Sequence, residues 1–449
     1  MVTTLVLVLA LAVSASAVVA LAEGPWGADR GSAGPADSAA RHWVNTWTAM
    51  PQLTEPGNMP PPPFTEERAV LVDTTLRQTV RVSTGGGRVR LRFSNAFGDT
   101  ALPLTAVSVA LPLGGRAGVS AVEPGSPRRV TFAGRASATV PVGAQLVSDP
   151  LDFGLEPGSD LTVTTYLAEG QPSTALTSHP GSRTTSYLQK AGHADRTRDL
   201  DLPGATAVNH WYLLSDVEVL SGPGTAAVAV LGDSLTDGRG STTNGNDRWT
   251  DRLLDRLRAY PATGAHPATD EVAVLNQAAG GNRVLNDGLG PNVLARLDRD
   301  VLSRSGVSWL VVFEGVNDLG TAAATPAAQR SVTTELIAAY EQIVVRAHAQ
   351  GIRVYGATLT PFGGNAMYDD PAGHREASRQ EVNSWIRTSG RFDAVVDFDR
   401  AVGDPADPRR LRATLHDGDW LHLNPEGYRT LAAAVPLRLF RTRADRPTG

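Results

Sequence analysis

The arrangement of hydrophobic and polar positions changes once along the chain. From about His42 to Leu220, short runs alternate apolar and polar residues: TLRQTVRVST, GGRVRLRFSN, LTAVSVALP, RRVTFAG, DLTVTTYLA and HWYLLSDVEVL. A period of two puts the apolar side chains of an extended segment on one face, so each run predicts a strand. Thr-Gly-Gly-Gly, Pro-Leu-Gly-Gly and Glu-Pro-Gly punctuate them, and no stretch here carries a good amphipathic helix. Many short strands at regular spacing predict an all-β sandwich of the jelly-roll kind.

Beyond Ser221-Gly222-Pro223-Gly224 the pattern becomes apolar runs separated by helical segments. AAVAVLG (226–232), EVAVLNQ (271–277), WLVVFEG (309–315), IRVYGATLT (352–360) and FDAVVDF (392–398) read as strands. RWTDRLLDRL, VLARLDRDVL, a long segment from Ala327 to Gln350, and REASRQEVNSWIRT read as helices. A last helix starts at Asn424-Pro425, with Asn as cap and Pro in the first turn. Near-continuous apolar strands alternating with helices predict a parallel sheet covered on both faces, a doubly wound α/β domain. The expected organisation is a signal peptide over 1–22, a flexible stretch over 23–40, a β-sandwich accessory domain over 41–222 and the α/β domain over 223–445. Two cores suit a chain of 449 residues.

The leader rests on the apolar start MVTTLVLVLALAVSASAVVALA, which ends in Ala20-Leu21-Ala22 before Glu23. It fits a secretory signal with an A-x-A cleavage site, although no Lys or Arg precedes the apolar run. Export to the extracellular space is expected, with no stable membrane association after cleavage. Composition removes several function classes. A net charge of −5 with acids and bases interspersed offers no basic face for nucleic acid or anionic lipid. The absence of cysteine excludes disulfides, thiolate nucleophiles and Cys-based zinc sites.

The first three apolar strands each run into a polar, glycine-containing block: Gly232-Asp233-Ser234-Leu235, Ala279-Gly280-Gly281-Asn282 and Gly315-Val316-Asn317-Asp318. Parallel strands bring all three to one sheet edge, where ligands bind in such folds. Acyl transfer needs these parts. A serine hydroxyl becomes a nucleophile when a neighbouring base takes its proton. An oxyanion needs donors aimed where charge develops; the candidates are the N–H groups of Ser234 and Gly281 and the Asn317 amide. Asp419-Trp420-Leu421-His422 offers a histidine base and an orienting carboxylate. Each block alone is an ordinary turn, cap or loop; their conjunction in this order carries the reading.

The blocks resemble those of the SGNH hydrolase superfamily, named for its Ser, Gly, Asn and His. GDSLTDG, AAGGNRVL, GVND and DWLHLNPEGY match its four motifs over roughly residues 225–440. The resemblance implies a three-layer α/β/α (flavodoxin-like) fold and ester hydrolysis without metal or organic cofactor, with Ser234, Asp419 and His422 catalytic and Ser234, Gly281 and Asn317 forming the oxyanion hole. The front region, through strings such as LRFSNAFGD together with NQAAGGNRVL, resembles an extracellular bacterial and fungal branch. That branch includes aryl- and acyl-esterases encoded among xylan-degrading enzymes. It implies a small-molecule or polysaccharide ester as substrate, with short acyl groups on carbohydrate or aryl esters foremost. The alternatives are a lipase or lysophospholipase acting on longer chains, and a polysaccharide-binding protein with a vestigial hydrolase domain.

Other residues carry two readings each. Asp417 also precedes His422, but the Asp-x-x-His spacing favours Asp419. Arg283 is expected near the active edge, either on substrate or in a salt bridge. Trp420 either walls the acyl pocket or packs its loop. Asp233 is expected to cap or brace the nucleophile turn, and His374 and His416 to be surface or loop residues. Trp43, Trp47 and Trp211 could stack on sugars, though core packing is the commoner outcome in a sandwich.

Overall fold

The structure is a computed structural model that describes residues 41–260 and 271–440. The expected signal peptide and the 23–40 stretch lie outside the described residues. From Arg41 onward the chain gathers into one compact unit.

Beside a three-stranded and a two-stranded sheet, the alternating runs of the front region form two larger antiparallel sheets. In one, the order is His42–Thr48, Leu214–Ser221, Gly86–Ser94 and Leu151–Leu155, with Gln145–Val147 also paired to Gly86–Ser94. In the other it is Thr206–Val208, Ser186–Lys190, Thr74–Arg81, Asp160–Leu167, Ala106–Ala110 and Arg128–Val130. The GGRVRLRFSN run shows the alternation at work. Val89, Leu91 and Phe93 enter the shared core with Leu76, Val163 and Val217. Arg90 and Arg92 point the other way and pair with Glu218 and Asp216 of the neighbouring strand. Each buried aliphatic or aromatic side chain contributes roughly 1.5–3 kcal/mol. Trp47 and Trp211 belong to this core, edge to face with ring centres 4.9 Å apart, and Trp43 lies under the Arg90 guanidinium.

The later apolar runs form one parallel sheet in the order Val272–Ala278, Ala226–Gly232, Val307–Phe313, Arg353–Ala357 and Ala394–Val396. Counting from the first of these along the sequence, the spatial order is 2-1-3-4-5. Both faces are covered, which is why the strands are apolar throughout. Val228 and Val230 pack against the Trp249–Ala259 and Pro425–Ala434 helices, while Ala229 and Leu231 face Pro326–Ala349 and His374–Thr388. Two elements differ from the sequence reading. The expected 293–302 helix is an α-turn over Val293–Leu297 followed by a π-helical turn over Asp298–Leu302; that wider turn carries buried Asp300, paired to Arg299 at 2.6 Å and Arg296 at 3.4 Å. The last two strands are shorter than their apolar runs because side chains take over the backbone groups: Asn383 accepts the Leu359 N–H at 2.7 Å, and Asp397 caps the Phe398–Val402 helix.

The front region lies along the open edge of the parallel sheet. Val44 packs with Ala227, Ala273 and Leu275, and the Ser83 and Thr48 hydroxyls donate to the Val274 and Asn276 carbonyls at 2.8 and 3.2 Å. An edge that would otherwise offer unpaired backbone groups is thereby covered. Buried Arg304 pairs with Asp216 across the same seam.

Candidate active site

The sheet order reverses beside Ala226–Gly232, and a crevice opens at such a point beyond the carboxyl ends of the strands. Ser234 follows that strand directly. Asp233 caps the short Ser234–Asp237 helix, its carboxylate accepting the Leu235 N–H at 2.9 Å, so it acts as the expected cap. Burial, with the Asp318 and Asp237 charges adding to it, pushes the Asp233 carboxyl up to about 7. Ser234 Oγ lies 2.8 Å from His422 Nε2.

His422 sits in the loop before the Pro425–Ala434 helix. Its Nδ1 is 2.5 Å from Asp419 Oδ2, and the backbone N–H groups of Leu421 and His422 donate to Asp419 Oδ1 at 2.9 and 2.8 Å. These donors overcome the upward push of partial burial and hold the Asp419 carboxyl at about 2. Burial lowers the His422 imidazolium below its ordinary range, against the opposing pull of Asp419. Asp417 does not bond to the ring: its backbone N–H donates to the His422 carbonyl at 3.0 Å, and its carboxyl meets Asp419.

Gly281 has a φ of 72°, a left-handed conformation that favours glycine; a Cβ there would also lie 2.4 Å from Leu289 Cδ1. The Asn317 amide donates one hydrogen to the Asn282 carbonyl at 2.8 Å, and its oxygen accepts from the Tyr368 hydroxyl at 2.6 Å. These two bonds fix which way the amide faces and leave its second N–H uncommitted. Asp318 accepts the Val284 and Leu285 N–H groups at 2.9 and 3.0 Å, so the third block clamps the second. Among the described residues, the Ser234 and Gly281 N–H groups meet no protein acceptor.

Ser234, Gly281, Asn317, Asp419 and His422 all line one cleft of about 690 Å³. Arg283 and Trp420, for each of which substrate contact is one of two readings, do not. Arg283 turns to the Asp287 carbonyl and the Thr321 hydroxyl, and Trp420 packs on His416 and under Arg410. The front region lines the same cleft with Gln52, Glu55, Asn58, Arg183, Asn209 and His210. No periodicity or motif in the sequence marked these residues. Tyr368 and Asp237 were equally silent, although Asp237 stands inside GDSLTDG.

Residues 230–430 match the model of the GDSL-like lipase/acylhydrolase family, a span that holds Ser234, Gly281, Asn317, Asp419 and His422. This span forms a GDSL-like lipase/acylhydrolase domain. The chain is accordingly a carboxylic ester hydrolase. Solved structures similar to this hydrolase include a lipase/acylhydrolase from Enterococcus faecalis, 19% identical, covering 48% of this chain and 95% of its own, with a TM-score of 0.35. A catalytic mutant of an acetylxylan esterase from Geobacillus stearothermophilus is 19% identical over 47% of this chain and 93% of its own, with a TM-score of 0.34. No curated protein sequence matches the chain. Among the described residues, no helix is long and apolar enough to cross a membrane.

Proposed function

We propose that this hydrolase is a secreted serine esterase that cleaves short acyl esters of carbohydrates, or aryl esters, through an acyl-enzyme. The observation that carries the reading is the relay in which His422 spans Ser234 Oγ at 2.8 Å and Asp419 at 2.5 Å. His422, neutral at pH 7 and oriented by Asp419, takes the Ser234 proton as Oγ attacks the ester carbonyl. The oxyanion forms against the Ser234 and Gly281 N–H groups and the free N–H of Asn317. His422 returns the proton to the leaving alcohol; it then activates the water that releases the acid.

The two walls of the cleft support the substrate class. The front region supplies amides, a carboxylate, an arginine and an imidazole, groups that match the hydroxyls of a sugar. Ser234→Ala tests the core of the proposal: hydrolysis of p-nitrophenyl acetate falls roughly 10⁴-fold or more, with an unchanged melting temperature. Wild-type turnover in that variant refutes it.

A lipase reading for longer acyl chains has one observation in its favour. Leu289 and Met367 line the cleft yet are 49% and 77% exposed, an apolar rim on which a chain could lie. A rate profile against acyl length separates the two: a peak at acetyl supports the first, a peak at octanoyl or beyond the second.

A further inference from the structure

Asp237 ends the short helix that begins at Ser234 and is buried. One carboxylate oxygen accepts the Gly280 N–H at 3.1 Å; the other faces His179 Nε2 at 2.9 Å. Gly280 immediately precedes Gly281. One carboxylate therefore ties the turn carrying the nucleophile to the turn carrying an oxyanion donor. It joins the two turns beyond the point where the Ala279 N–H meets the Gly232 carbonyl at 3.1 Å.

His179 does not belong to either turn. It ends the Thr177–His179 strand of the front region, and its Nδ1 faces the Met50 carbonyl at 3.0 Å. The carboxylate can only accept, so the ring is placed to donate from Nε2 to Asp237. The ring stacks on Trp211, with centres 5.8 Å apart and planes 28° from parallel. Close approach is built in at Gly181, where a Cβ would lie 1.8 Å from Asp237 Oδ2. Arg248 Nε holds the Asp237 carbonyl at 3.0 Å, which fixes the end of the helix.

We propose that His179 is a positioning residue for ester hydrolysis: through Asp237 it sets the Gly280-Gly281 turn against Ser234, making the front region part of the catalytic apparatus. Without the ring, the buried Asp237 carboxylate loses its hydrogen-bond donor from the front region and has to rotate or take up a proton, and the Gly280 bond goes with it. The inference rests on the esterase reading above.

The test uses the full chain with His179→Ala, His179→Gln and Asp237→Asn. Each variant is titrated with a fluorophosphonate that labels Ser234, and kcat on p-nitrophenyl acetate is expressed per labelled site. His179→Ala is expected to lose roughly 10–100-fold in kcat per site, the scale of a misplaced catalytic group, with KM within about twofold. Glutamine carries an N–H at the reach of Nε2, so His179→Gln recovers most of that loss, and Asp237→Asn resembles His179→Ala. Counting labelled sites removes any loss due to unfolding. An unchanged kcat per site in His179→Ala overturns the inference, as does a loss accounted for wholly by fewer labelled sites, or equal losses with Ala and Gln. A wild-type enzyme whose Ser234 takes no label overturns the esterase reading as well, so the two failures are distinct.

Discussion

Two Asp–His pairs flank Ser234, one in the loop before the last helix and one across the seam between the front region and the parallel sheet. Their residue types are identical and their neighbours differ. His422 has Asp419 on Nδ1 and a hydroxyl on Nε2; a hydroxyl can donate, so the neutral ring fits and can accept a proton. His179 has acceptors on both nitrogens, and neither of them offers a proton to take up. Exposure follows the same division: the Asp419 side chain is 35% exposed, that of Asp237 3%. What a histidine does in this site is decided by how many acceptors its ring meets.

The sharpest way to break the comparison is to remove the ring proposed to move the proton. His422→Ala is expected to lower kcat by roughly 10⁴–10⁶-fold, as loss of the base does in other serine hydrolases, while the melting temperature stays near wild type. A loss no larger than that of His179→Ala, measured on p-nitrophenyl acetate, would put the two pairs on one footing.

The seam also holds an ion pair that makes no direct contact with Ser234, Gly281, Asn317, Asp419 or His422. Arg304 pairs with Asp216 and lies 3.9 Å from Asp300, all of them buried. Arg304→Ala leaves carboxylates without a partner and should cost about 3–5 kcal/mol in denaturant unfolding. Turnover per labelled site is expected to remain that of wild type. If it falls as far as in His179→Ala, any damage to the seam disturbs catalysis and the special position of His179 is lost.

Next in size is Asn317, the third donor of the proposed oxyanion hole. Asn317→Ala removes the amide held by Asn282 and Tyr368 and should reduce kcat by about 10²–10³-fold with little change in KM. Tyr368→Phe frees the amide to flip without deleting it, so a smaller loss is expected in the same assay. Equal losses would mean that the hydroxyl rather than the amide matters.

The two regions were not equally legible in the sequence. In the parallel region, apolar runs met the sheet because each strand is buried on both faces, and the three polar blocks fell at strand ends where sequence order alone fixes the edge. Asp419 and His422 were legible because three residues of loop bring them together. The front region gave its strands through alternation, as at Val89, Leu91 and Phe93, but not its contribution to the cleft. His179 stands fifty-eight residues from Asp237 along the chain, and no period or motif spans that distance. Arg283 failed for a related reason: nearness in sequence to Gly281 says nothing about direction, and its guanidinium found the Asp287 carbonyl instead. The π-turn at Asp298–Leu302 was hidden because a helical pattern does not record an extra residue in one turn.

The smallest effect is electrostatic and tests the loop pair alone. A general base works unprotonated, so kcat/KM should rise with pH and level off once His422 has lost its proton. Burial holds the His422 imidazolium below its ordinary 6.5, with Arg239 pushing the same way and Asp419 and Asp417 opposing. The midpoint of the rise is therefore expected below pH 6.5. Asp419, held at about 2, stays ionised throughout and adds no limb of its own. Asp417→Asn removes a negative charge that favours the imidazolium, so its midpoint moves further to acid. Arg239→Gln removes a positive charge and moves it towards neutral pH. Both shifts shrink in high salt to the extent that water reaches the loop. A wild-type midpoint above 6.5, or shifts of the same sign in the two variants, would mean that the titrating group is not His422.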